Sequence, residues 1–103
     1  MARQMFLTQQ NLADLPALGA HDGKNAEDVP VAVKFFCPWS NWTWYATEYD
    51  PADGLFFGFV RGFEGELGYF SRAELEEITG PMGLYIERDI HWSGTLADAK
   101  AAS

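Results

Sequence analysis

The sequence is short of several things, and each shortage narrows what the chain can do. One cysteine, Cys37, cannot form an internal disulfide or a thiolate-rich metal site, so a reducing compartment fits best. Two histidines, His21 and His91, stand seventy residues apart with no His-x-x-x-His or Cys-x-x-Cys spacing, and no metal or cofactor is expected. No apolar run approaches a membrane span, and the leading MARQMFLTQQ lacks the apolar core of a signal peptide. A cytoplasmic protein away from the membrane is expected, with Asn41-Trp42-Thr43 a chance match to the glycosylation sequon. Basic residues are scarce: seven Lys and Arg against fifteen Asp and Glu leave a net charge of −8. That balance argues against direct binding of nucleic acid and favours solubility and a basic partner surface.

What remains is rich in apolar and aromatic side chains. Hydrophobic residues make up 48% and aromatics 16% of 103 residues, enough for one modest core in one domain. The expected domain is 1–103, ordered from about 6 to 92, with 93–103 frayed because SGTLADAKAAS is small and polar. The stretch Val31 to Tyr49 organises it, reading as two strands joined by a Pro-Trp-Ser-Asn corner and holding three of the four tryptophans.

Taken in order, Thr8 is placed as an N-cap, with Leu7 and Leu12 as a hydrophobic staple and Pro16 ending a short helix. Residues 19–30 form a polar loop. Val31 to Cys37 alternates as a strand, then Trp42 to Tyr49, with Trp42, Trp44 and Ala46 on one face. Asp50-Pro51-Ala52-Asp53-Gly54 is a turn, and Leu55 to Arg61 is a central strand, apolar on both faces. Gly58 within it marks a close approach by a neighbouring backbone or side chain. Glu66 to Phe70 follows as a fourth strand. Ser71 to Glu74 caps a second helix running to about Thr79, with Leu75 and Ile78 facing in and Gly80 closing it. Leu84 to Trp92 is a last strand or extended segment. The fold class is α+β: a small antiparallel meander sheet of four to five strands, with two short helices packed on one face or end.

Candidate chemistry is sparse. Cys37 follows two phenylalanines on a strand and reads as a buried structural thiol rather than a nucleophile. The acid pairs Glu48/Asp50 and Glu64/Glu66 flank turns, where carboxylates are solvated rather than aimed at one scissile bond. Trp39, Trp42, Trp44 and Tyr45 are the most unusual cluster. Trp42 and Trp44 are candidates for core packing or for a ligand pocket with Tyr69 and Arg88, and Trp39, in the corner, is the candidate for exposure.

Ser40-Asn41-Trp42-Thr43-Trp44-Tyr45, Glu66-Leu67-Gly68-Tyr69-Phe70-Ser71 and Ile86-Glu87-Arg88-Asp89 together resemble a bacterial family known as domain of unknown function 2958. The resemblance spans Phe6 to about Trp92. It carries no activity or catalytic residue, and implies a setting in plasmids and integrated mobile elements.

Charge then suggests a role. Between Glu48 and Glu77 lie eight acids against Arg61 and Arg72, and on one side of the fold they would make a stripe imitating a phosphate backbone. The expected function is a non-enzymatic interaction module of a mobile element. In its sharpest form it is an anti-restriction or anti-CRISPR type inhibitor on the basic surface of a nucleic-acid-processing protein. Glu48, Asp50, Asp53, Glu64, Glu66 and Trp39 are the expected contacts. The alternative is a small-ligand domain or minor enzyme with a pocket of Trp42, Trp44, Tyr69 and Arg88.

Overall fold

The computed structural model describes residues 4–102. Five strands, β1 (Val33–Phe36), β2 (Thr43–Asp50), β3 (Leu55–Arg61), β4 (Gly65–Ser71) and β5 (Glu87–Arg88), form one antiparallel sheet in the order β4-β3-β2-β1-β5. Three short helices accompany it: α1 (Gln9–Asp14), α2 (Arg72–Glu77) and α3 (Leu96–Ala101). The α+β meander is as expected from sequence; the third helix is not.

Each helix begins where a hydroxyl can satisfy a free backbone donor. Thr8 Oγ1 accepts from Asn11 N, and Asn11 Oδ1 returns a bond to Thr8 N. Ser71 Oγ accepts from Glu74 N at the start of α2. The staples fare differently. Phe70 and Leu75 meet in the core, whereas Leu7 is buried and Leu12 is exposed. Helix α2 stops at Glu77, leaving Ile78 exposed, and Gly80 opens a 3-10 turn at Pro81–Gly83 instead of closing the helix.

The sheet has a core on each face. On the first, Phe35 and Phe56 are fully buried, with Phe6 stacked on Phe35 at 4.4 Å and Tyr49 and Phe70 against Phe56 at 4.6 and 5.3 Å. Leu15 from beyond α1, Leu75 from α2, Ile86 and Cys37 complete it. On the second, Tyr45 and Phe59 of the sheet meet Val29, Val31, Leu96 and Ala99.

Residues 93–102 are therefore structural, a correction to the frayed tail; Ser103 lies outside the described residues. Thr95 and Asp98 make a reciprocal capping box, Leu96 N donates to Val29 O at 2.7 Å, and Leu96 and Ala99, three apart, face the sheet. Hence Leu96→Ala should cost about 2 kcal/mol in denaturant unfolding. A frayed tail would leave the midpoint unmoved.

A β-bulge governs β2. Its register passes from Ala46↔Gly58 to Glu48↔Phe57, so Thr47 is the extra residue. Trp44 and Ala46 join the first core and so does Tyr49, an odd step that a regular strand would have sent to the other face. The bulge thereby keeps Glu48 out of the apolar core.

Candidate interaction surface

The meander separates the chain's charges. The β2–β3 turn and the start of α2 share one end of the sheet, tied by Arg72 N donating to Gly54 O. The β1–β2 and β3–β4 turns share the other end, about 20 Å away along the strands. Asp50 and Asp53 therefore lie opposite Glu64 and Glu66, and the six expected contacts do not form one stripe.

Glu48 leaves the surface altogether. It is 4% exposed. Its Oε1 accepts from Gly19 N at 2.7 Å and its Oε2 from His21 N at 3.0 Å, with His21 Nδ1 3.1 Å from the same oxygen. This carboxylate pins the loop after α1 and is not available to a partner. Asp50 is half-buried and accepts from Ala52 N within its own turn, while Asp53 is exposed. At the same end Arg72 pairs with Glu76 at 2.9 Å. Its guanidinium is held above its ordinary range mainly by a hydrogen bond to the Tyr49 side chain, against partial burial.

At the opposite end the aromatics gather. Trp39, the candidate for exposure, is half-buried, packed on the first core with its ring over Gly80. Trp42 is 37% exposed and tilts on buried Trp44 at 6.0 Å. Its ring lies flat against Gly62, where a Cβ would stand 2.4 Å from the indole. Phe63, at the tip of the β3–β4 turn, is 97% exposed and presents an edge contact to Trp42 at 5.8 Å. Trp42, Val60, Gly62, Phe63, Glu64 and Glu66 line one shallow groove of about 260 Å³. Glu64 and Glu66 are thus the two expected acids that the fold seats beside aromatic anchors.

Phe63 was missed in the sequence. Its signal was present: in Gly62-Phe63-Glu64-Gly65 a large apolar side chain sits on a turn too short to fold it back.

The expected ligand pocket is dispersed. Trp44 is core, Tyr69 is 64% exposed on edge strand β4 with its ring against Phe57, and Arg88 on β5 donates to Met5 O. Only Trp42 of the four borders a cleft of about 690 Å³ beside the carboxyl end of α3, whose lining includes Lys34, Tyr45 and Arg61. Cys37 is buried at the aromatic end, whereas His21 is bound to Glu48 at the other and His91 is exposed. Among the described residues no three His, Cys, Asp or Glu side chains are grouped to hold a metal, and no helix is long and apolar enough to cross a membrane.

The fold and surface define a small α+β domain with helices on both faces of an antiparallel sheet and an aromatic, acid-edged groove at one end. The chain belongs to the family of proteins of unknown function DUF2958, which it matches over residues 6–100. No curated protein and no solved structure matches it.

Proposed function

We propose that the protein is an interaction module that docks through its Trp42–Phe63 end onto a basic surface of another protein. The observation that carries this is Phe63: a ring 97% exposed, in edge contact with Trp42, in a groove whose other walls include Glu64 and Glu66. Aromatic rings at the centre of an interface supply most of its affinity, and flanking charges select the partner and speed the encounter. A net charge of −8 directs that choice toward positive surfaces.

Nucleic-acid-processing proteins offer such surfaces. In its sharpest form the module is an inhibitor of the anti-restriction or anti-CRISPR kind, a reading that rests on the charge balance and on the mobile-element setting the family resemblance implies. The test is capture from a lysate of the source organism by wild-type protein, Phe63→Ser and the double variant Glu64→Lys/Glu66→Lys, with bound proteins identified by mass spectrometry. Phe63→Ser should weaken capture of the specific partner at least about tenfold. It should leave the unfolding midpoint within about 0.5 kcal/mol of wild type, as expected of an exposed position.

A further inference from the structure

In a chain with seven Lys and Arg, the places where cations gather are few. Lys34 and Arg61 both line the cleft of about 690 Å³ on the α3 face of the sheet. Strand register brings them there: Lys34 stands beside Tyr45 and Arg61 beside Thr43, so the two cations flank successive same-face positions of β2. Two strand spacings and a two-residue offset put their backbones about 12 Å apart.

Both are held in place before any ligand arrives. Lys34 Nζ lies 3.3 Å from Asp89 Oδ2 and over the rings of Tyr45 and Trp92, at 5.6 and 5.3 Å. Arg61 Nη2 donates to the carbonyls of Ala99 and Lys100 at 3.4 and 3.0 Å, closing the end of α3. Arg61 Nε, however, is buried without a hydrogen-bond partner. That nitrogen is closed off from the cleft, with the guanidinium over the Phe59 ring at 5.3 Å, so the group is fixed and offers the cleft its positive charge rather than this donor. Among the described residues, Asp89 is the one carboxylate in the lining, and Lys34 already engages it. The remaining wall combines the rings of Phe36, Trp42 and Tyr45 with the hydroxyls of Ser40 and Thr43. A cleft of this volume that sets aromatic rings beside convergent polar groups is of a size to take a small molecule.

We infer that this cleft binds a small anion carrying an aromatic ring, with its acid group between Lys34 and Arg61 and its ring on the Phe36–Trp42 wall. The site is distinct from the docking surface but shares Trp42 and Gly62 with it.

The test is an amide NMR titration with AMP and with benzoate, using adenosine and inorganic phosphate as the ring-only and acid-only controls. At least one acid-bearing probe should give saturable shifts at Thr43, Tyr45 and Gly62, and each control should bind at least about tenfold more weakly. Comparison of AMP with benzoate identifies the acid group as phosphate or carboxylate. Lys34→Gln should weaken binding about tenfold while leaving the rest of the spectrum unchanged, and Lys34→Arg should recover most of it. The inference is overturned if neither probe saturates by about 10 mM, if shifts map elsewhere, if a control binds as well, or if Lys34→Gln binds like wild type.

Discussion

Gly58→Ala should destabilise the domain by about 3 kcal/mol or more, an exceptional loss for one added methyl group. A Cβ at this position would stand 1.8 Å from the carbonyl oxygen of Tyr45, 2.9 Å from its carbonyl carbon and 3.1 Å from Ala46 Cα. All three are backbone atoms of the neighbouring strand, so no side-chain rotation relieves the contact. The contact lies beside the bulge in β2, at the pair Ala46↔Gly58 where the register shifts. Gly68, paired directly with Gly58 on the other side, provides the control: a Cβ there meets nothing within 4 Å. Denaturant unfolding of the two alanine variants should separate them, with Gly68→Ala within about 0.5 kcal/mol of wild type. Equal midpoints would mean that the bulge does not press on β3.

Glu48→Ala should cost about 3 kcal/mol, although it removes an acid that sequence reasoning assigned to a partner. The substitution strips the acceptors from Gly19 N and His21 N and leaves two donors in a partly buried loop. Glu48→Gln should fall between, because an amide keeps one acceptor and turns an NH2 toward the second donor. Hydrogen exchange gives the local readout: protection at Gly19 and His21 should disappear in Glu48→Ala before that of the β2–β3 ladder. A docking role would give the opposite pattern, with stability unchanged and partner capture weakened.

The elements legible in the sequence were those whose signals are local. The Thr8 and Ser71 caps, the alternation of Val33, Phe35 and Cys37, and the turn at Asp50–Gly54 all depend on near neighbours, and the fold honours each. Gly58 carried a long-range fact in a local form: a glycine inside an apolar strand announced a close approach without saying of what. The bulge at Thr47 had no such sign, since it arises from pairing with β3, and with it went the fate of Glu48. Helix α3 was overlooked although Thr95-x-x-Asp98 and the Leu96/Ala99 spacing spell a capped amphipathic turn. Its small residues suit a helix lying close against Tyr45 and Phe59, which is a tertiary fact. The acidic stripe failed for a topological reason. Successive hairpin turns of a meander alternate between opposite ends of the sheet, so acids close in sequence become distant in space.

The docking reading is tested most directly by the salt dependence of capture. Wild-type protein and Glu64→Lys/Glu66→Lys should be compared at low and moderate ionic strength. A basic, nucleic-acid-processing partner held by wild type at low salt, released as salt rises and absent from the double variant is the predicted result. A partner retained equally by both proteins at both salt concentrations would contradict it.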